Sequence, residues 1–210
     1  MADFNALLDG YRRFRTENYS RQRARYDALA QGQAPKTMII GCSDSRVDPT
    51  IVFDADPGQM FVVRNVANLV PPFETGGGRH GVSAALEFAV TQLKVEDVVV
   101  MGHGACGGIH ASLTGVFDGA DHGEGGFIAS WMSMIAPARD MVRATGHTDA
   151  QLALEYAAIR LSLDNLLTFP FVESRVRAGD LTLWGAHFAI ADGVLRVMDP
   201  ATGQFSPAEA

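Results

Sequence analysis

Residues 95–108 read VEDVVVMGHGACGG, and this stretch decides the fold class. Its first half, Val95 to Met101, is apolar almost throughout, which is typical of a parallel strand buried on both faces. A polar, glycine-rich turn follows directly, from Gly102 to Gly108. A strand that ends in such a turn indicates an α/β sheet, in which functional residues lie beyond the carboxyl ends of the strands.

The segments on either side repeat the alternation of strand and helix. Four further segments are predicted to be strands: 36–41, 60–64, 181–190 and 193–198. Helical spacing of apolar residues predicts helices over 81–93, 109–117, 127–145 and 151–169. The alternation predicts a mainly parallel central sheet flanked by helices.

An N-terminal helical arm is predicted before the sheet. Residues 4–19 place Phe4, Leu7 and Tyr11 on one helical stripe, and residues 20–30 continue this helix or form a second one. We therefore divide the chain into an arm, residues 1–34, and a single α/β domain, residues 35–210. The arm's many arginines predict a solvated face or a subunit contact. An RNA-binding arm is the alternative, but no aromatic platform or glycine-rich RNA motif supports it.

Length, charge and hydropathy limit the classes of function. At 210 residues the chain suits one domain with a sizeable core. Its net charge of −7 argues against nucleic acid or an anionic membrane as the main partner. The apolar runs are too short to cross a bilayer, and the first ten residues carry two acids and no base, unlike a secretory signal. We therefore expect a soluble, cytoplasmic protein.

The only two cysteines, Cys42 and Cys106, are the first candidates for chemistry. They are too few for a disulfide scaffold, which leaves buried thiols, a redox pair or metal ligands. Each lies in a polar, turn-like segment, which disfavours simple core filling. A redox pair is disfavoured because the two lie far apart and no Cys-x-x-Cys motif exists.

A metal site is the alternative that also uses a histidine. Cys42 follows one predicted strand, while His103 and Cys106 follow another in a His-x-x-Cys pattern. Two thiolates and an imidazole suit zinc, and three protein ligands leave the fourth tetrahedral position open, as in catalytic sites. Zinc in such a site lowers the pKa of a bound water to about 7. From the residues alone, a zinc site and a set of structural side chains both stay open.

Asp44 and Arg46 follow Cys42 in the same turn. An aspartate two residues after a ligand can reach the metal or its water, and an arginine two further on can hold that carboxylate in a bidentate ion pair. Such a pair would keep Asp44 ionised as an acceptor for the proton of the attacking oxygen. If the arginine let go, Asp44 could instead become a fourth ligand.

Several motifs together resemble the β-class carbonic anhydrases. The resemblance lies in CSDSRV (42–47), RNVANLVPP (64–72) and GHGACGG (102–108), and it continues in GGRHGVSAALEFAV (77–90) and SLDNLLTFPFV (162–172). It covers roughly residues 30–190. The family implies a zinc-dependent lyase, a carbonate dehydratase, that reversibly hydrates carbon dioxide to bicarbonate and a proton. It also implies a homodimer or homotetramer in which the N-terminal helix lies over its neighbour.

The resemblance assigns roles residue by residue. Cys42, His103 and Cys106 match the zinc ligands, and Asp44 and Arg46 match the catalytic dyad. The residues that match substrate contacts are Gln33, Phe61, Val66, Phe88 and Gly107. Relatives often have tyrosine at position 88, so a hydroxyl role there is absent. Apart from the resemblance, His80 and His122 have no ligand spacing to the cluster and are interpreted as surface or structural residues, with the passing of protons to buffer as the alternative.

One subclass of the family closes its zinc site with the aspartate and binds bicarbonate at a second site, through a tryptophan, an arginine and a tyrosine. This chain has Ile39 and Phe188 where the tryptophan and tyrosine would be, and only Arg64 matches. The resemblance therefore implies the open-site, plant-like subclass. Two alternatives use the same ligands: hydrolysis of carbonyl sulfide or carbon disulfide, and a non-enzymatic zinc-stabilised domain or thiol sensor, which would need a fourth ligand.

Overall fold

A central sheet organises the computed structural model, which describes residues 3–76, 78–121 and 126–208. Within those ranges the sheet has six strands: β1 (Thr37–Cys42), β2 (Met60–Asn65), β3 (Asp97–His103), β4 (Thr182–Ala189), β5 (Val194–Met198) and β6 (Phe205–Pro207). They lie in the order β2-β1-β3-β4-β5-β6. The first four strands in this order run parallel to one another, while β5 pairs antiparallel with β4, and β6 pairs antiparallel with β5. The predicted α/β class and mainly parallel sheet are confirmed.

Helices connect and cover the strands. The described residues form nine α-helices: α1 (Phe4–Phe14), α2 (Arg23–Leu29), α3 (Pro49–Val52), α4 (Gly81–Glu87), α5 (Gly107–Thr114), α6 (Gly126–Met132), α7 (Ala136–Thr145), α8 (Ala150–Leu166) and α9 (Pro170–Ala178). Short π-helical segments cover Arg15–Tyr19 and Phe88–Leu93, and 3₁₀ turns cover Val66–Asn68 and Ser133–Ile135. None of these helices combines the length and apolarity needed to span a bilayer.

Local chemistry sets where the main helices begin and end. The Asp149 side chain accepts the N–H of Leu152 and so caps α8, and Asp3 caps α1 in the same way through Ala6. At the other end, Gly146 and Gly179 adopt left-handed conformations (φ 62° and 78°) directly after α7 and α9. Glycine takes that conformation without steric cost, so both helices stop there.

The main hydrophobic core lies between one face of the sheet and the helices α4, α8 and α9. The sheet contributes Met38, Ile40, Val98 and Val100. The helices and the α8–α9 connection contribute Leu86, Ile159, Leu166, Phe169 and Val172. Helix α8 lies directly against β3 and β4, so a side chain on its inner face can reach the carboxyl ends of these strands.

The boundaries differ from the predicted ones where packing or proline intervenes. The predicted helix 127–145 is divided into α6, a 3₁₀ turn and α7, because Pro137 lies in the first turn of α7 and cannot continue a preceding helix. The predicted helix 151–169 ends at Leu166, and a separate α9 begins at Pro170. Helices α3 and α9 and strand β6 were not predicted. The division at residues 34 and 35 stays a prediction.

Candidate metal centre

The parallel pairing of β1 with β3 brings the two cysteine-bearing turns together. Gly41 pairs with Met101, so both strands end at the same edge of the sheet. Cys42 is the last residue of β1 and His103 the last of β3. Cys106 directly precedes α5. The ligand atoms of these three buried residues all lie within 4.8 Å of one another, which is the predicted cluster.

The spacing and chemistry of the cluster fit zinc. Sγ of Cys42 and Sγ of Cys106 are 4.0 Å apart, and neither forms a disulfide. Two thiolates on a tetrahedral zinc at 2.3 Å would be separated by ~3.8 Å. His103 Nδ1 lies 3.0 Å from the carbonyl oxygen of Gly104, and this acceptor makes Nδ1 the protonated nitrogen. The buried Nε2 then offers a lone pair that has no hydrogen-bond partner among the described residues.

The two sulfurs already differ in acidity. The two sulfurs lie within hydrogen-bonding distance of each other, and this contact lowers the pKa of Cys42. The same contact, together with burial, raises the pKa of Cys106. The pair therefore favours one thiolate even without a cation, and the second proton leaves when a metal takes its place.

Asp44 and Arg46 form the predicted ion pair beside the cluster. Asp44 Oδ1 accepts hydrogen bonds from the backbone N–H of Arg46 at 3.0 Å and from its Nε at 2.9 Å. Asp44 Oδ2 accepts from Arg46 Nη2 at 2.6 Å and lies 3.9 Å from His103 Nε2. These bonds hold the pKa of Asp44 well below its usual range. The carboxylate is therefore ionised and lies at the edge of the metal cluster.

Arg64 fixes the turn that carries Cys42 and Asp44. Its guanidinium donates to the carbonyl oxygens of Cys42 at 2.9 Å and Asp44 at 2.6 Å. It also pairs with Asp48 Oδ2 at 2.9 Å. Five N–H donors in a rigid fork suit arginine to such multiple binding. The one residue that matched the bicarbonate-binding subclass is thus engaged with the backbone of the metal turn.

The residues predicted to contact substrate lie on β2, on the 3₁₀ turn after it, on the π-helical segment after α4, at the start of α5 and on the segment before β1. The rings of Phe61 and Phe88 lie 5.9 Å apart, and Phe88 is partly exposed. Val66 is also partly exposed, and its carbonyl oxygen accepts the indole N–H of Trp131. Gly107 directly follows Cys106 and is exposed, as is Gln33 on the segment before β1. The assignment of these five to substrate stays a prediction.

Three residues at the site escaped the sequence analysis: Gln151, Glu155 and His187. Glu155 accepts the backbone N–H of Cys106, and His187 and Gln151 both contact Glu155. The apolar stripe of α8 was predicted from its aliphatic residues alone. A glutamate spaced four residues from Ile159 lies within the same stripe, and that spacing was the available signal.

Of the two candidate proton carriers, His80 is exposed and His122 lies outside the described residues.

Comparison with known proteins gives matches across this fold. A family model described as carbonic anhydrase matches residues 37–195. Beta carbonic anhydrase 3 of Arabidopsis thaliana is 37% identical over 192 residues, which cover 89% of this chain and 73% of that protein. The structure of the β-carbonic anhydrase CcaA has a TM-score of 0.88 at 29% identity, and the match covers 98% of this chain and 92% of the CcaA chain. A tetrameric β-carbonic anhydrase of Sordaria macrospora has a TM-score of 0.78 at 26% identity, with coverages of 97% and 98%.

The matched region includes every strand from β1 to β4 and both turns that form the metal cluster. The family catalyses carbon dioxide hydration and uses zinc, the metal that the two thiols and the imidazole fit. Sequence, fold and donor set therefore agree. The chain belongs to the β-carbonic anhydrases, the zinc-dependent lyases that interconvert carbon dioxide and bicarbonate.

Proposed function

We propose that this chain hydrates carbon dioxide at the centre formed by Cys42, His103 and Cys106, with Asp44 and Arg46 as the acceptor pair. One observation carries the proposal: three zinc-type ligand atoms lie within 4.8 Å of one another beside a carboxylate that is fixed by arginine. Zinc held by three protein ligands lowers the pKa of a water in its fourth position to about 7. That chemistry provides a nucleophile at neutral pH.

Asp44 orients the oxygen that attacks carbon dioxide. An ionised carboxylate only accepts hydrogen bonds, so Asp44 Oδ2 can accept a hydrogen bond from the attacking oxygen and so turn that oxygen's lone pair toward carbon. Arg46 keeps the carboxylate ionised and in place through its Nε and Nη2. Because Arg46 also donates to the carbonyl oxygen of Ala105, the pair is anchored to both turns of the site.

The remaining contacts to substrate are assigned by the resemblance and supported by side-chain chemistry. Phe61, Val66 and Phe88 are apolar, as a pocket for carbon dioxide requires. Gly107 opens α5, where a backbone N–H has no partner within the helix and suits an anion such as bicarbonate. Gln33 is the remaining polar contact. A closed site requires Asp44 to leave Arg46 and become the fourth ligand. The ion pair between Asp44 and Arg46 therefore supports the open-site subclass.

Removing and restoring zinc tests this function. The zinc-loaded chain is expected to hydrate carbon dioxide in stopped-flow assays, to lose that activity after chelation, and to regain it when zinc is added back. A metal-free chain that hydrates at the loaded rate would contradict the proposal. Parallel assays on carbonyl sulfide test the hydrolase alternative, which requires faster turnover on that substrate.

The arm is proposed to join two or more copies of the chain, as a dimer or a tetramer. Phe4, Leu7 and Tyr11 lie on one face of α1 and are 71%, 61% and 54% exposed. Such an apolar stripe is unusual on a free helix and is stabilised by burial. The related enzyme of Sordaria macrospora is tetrameric. A second copy of the chain is therefore the proposed occupant.

Leu7→Asp is expected to shift the chain toward monomers, because it places a charge in the middle of that stripe. Sedimentation velocity at several concentrations measures the shift. Arg13→Gln, on the opposite side of α1, is the matched control and should leave the assembly unchanged. An unaltered assembly in Leu7→Asp would exclude the stripe as a subunit contact.

We also propose a cytoplasmic location, which suits two free thiols.

A further inference from the structure

A buried polar cluster contacts the backbone of Cys106. It consists of Gln151 and Glu155 from α8 and His187 from β4. The side chains of Glu155 and His187 are 2% and 1% exposed. Glu155 Oε1 accepts the backbone N–H of Cys106 at 3.0 Å and the amide of Gln151 at 2.8 Å, and Glu155 Oε2 lies 2.9 Å from His187 Nε2. Three N–H groups thus meet one buried carboxylate, as its burial requires.

The cluster holds the backbone on both sides of Cys106. Glu155 binds the N–H of Cys106, while Gln151 donates to its carbonyl oxygen at 3.1 Å. These groups belong to the two peptide units that flank the Cys106 Cα, so both are tied to α8. The preceding Ala105 has a positive φ of 55°, a conformation that residues other than glycine rarely adopt. An ordered surrounding is needed to maintain such a turn.

His187 orients the carboxylate from the sheet. A carboxylate only accepts, so the hydrogen between the two side chains lies on His187 Nε2. The ring is fixed by an edge-to-face contact with Tyr156 at 5.0 Å. Because β4 pairs with β3 next to His103, the same strand edge supports the histidine ligand and the residue that orients Glu155.

We propose that Glu155, oriented by His187 and Gln151, is a positioning residue that holds the Cys106 thiolate in place for zinc and so sets how slowly the metal is released. The inference rests on the proposed function of the centre as a zinc site. Partners that orient metal ligands from outside the coordination sphere typically contribute 10–100-fold to metal affinity or activity. Here the partner acts on the ligand's backbone.

The nature of the contacts predicts which replacements are tolerated. In Glu155→Gln, the amide oxygen can still accept the N–H of Cys106. Its NH₂ group can donate to His187 Nε2 once the imidazole hydrogen moves to Nδ1, which has no partner among the described residues. Glu155→Ala removes the acceptor and leaves the N–H of Cys106 buried and unpaired.

Zinc release tests the proposal directly. Each zinc-loaded variant is mixed with a chromogenic chelator, and the release rate is measured without reference to catalysis. Glu155→Ala is expected to release zinc about 10–100-fold faster than the unaltered chain, and Glu155→Gln is expected to restore most of the retention. Cobalt-loaded Glu155→Ala should also show altered visible absorption, because the thiolate geometry around the metal changes.

Ser162→Ala is the matched control, since Ser162 is equally buried on α8 and bonds to the backbone of Asn68 and Val70 instead of the metal turn. It should release zinc at the unaltered rate. If Glu155→Ala does not fold, Gln151→Leu removes two of the hydrogen bonds and should accelerate release to a smaller extent. Equal release from all variants, or equally fast release from Ser162→Ala, would overturn the proposal. An unaltered chain that binds no zinc would instead contradict the proposed function.

Discussion

Cys42→Ser is expected to abolish both zinc binding and carbon dioxide hydration. Cys42 provides one of three ligand atoms, and a serine hydroxyl is a much weaker zinc ligand than a thiolate because it keeps its proton at neutral pH. Its loss leaves one thiolate and one imidazole. Two ligands neither retain zinc in the presence of a chelator nor define the open fourth position. Zinc content by mass spectrometry should fall close to zero, and stopped-flow hydration should fall to the rate of buffer.

Ser45→Ala separates this effect from damage to the turn. Ser45 is exposed and lies three residues after Cys42, within the same polar segment. Its replacement should leave zinc content and hydration unchanged. Circular dichroism should show that both variants keep the fold, since Cys42→Ser preserves size at a site next to the core. Full zinc content and full activity in Cys42→Ser would contradict the assigned ligand set.

The metal cluster could be predicted from sequence because its members follow apolar strands. Parallel strands place their carboxyl ends at one edge, which predicted that the polar turns after β1 and β3 share an edge of the sheet. The resemblance supplied the zinc assignment, and the pairing of β1 with β3 shows that the two turns are neighbours. Glu155 could not be found that way, since it lies on a helix and its role depends on how α8 crosses the sheet. Its spacing places it on the buried face, but only the packing of α8 against β3 and β4 shows that it reaches Cys106.

The main strands of the fold could also be predicted from the sequence, whereas its shortest elements could not. The strands β1 to β4 are apolar runs, and their ends fall within about two residues of the predicted ones, as is usual for strand boundaries. Helix α3 and strand β6 have four and three residues, too few to show a period. Phe88–Leu93 continues α4 as a π-helical segment, which the helical spacing predicted over 81–93 does not distinguish from an α-helix.

Asp44→Asn is expected to keep zinc and to lower kcat/KM for hydration by about 10²–10³-fold, the usual loss when one preorganised hydrogen-bonding group beside the reacting atoms is removed. The Asp44 carboxylate accepts three hydrogen bonds from Arg46 and faces the cluster through Oδ2. An asparagine keeps one acceptor for Arg46 but presents an NH₂ group at the other position. If the NH₂ group faces the cluster, it donates where the attacking oxygen needs an acceptor. If it faces Arg46, two donors meet and the hydrogen bonds to the guanidinium are lost.

The expected separation of zinc binding from activity distinguishes Asp44 from the metal ligands. Zinc content and stopped-flow rates measured on the same preparation report the two properties. Asp48→Asn is the matched control, because Asp48 lies in the same turn, pairs with Arg64 and caps α3 through Thr50. Asparagine is also an effective cap, so this variant should retain zinc and most activity. If Asp48→Asn lost as much activity as Asp44→Asn, the effect would belong to the shape of the turn rather than to a carboxylate that accepts a hydrogen bond from the attacking oxygen.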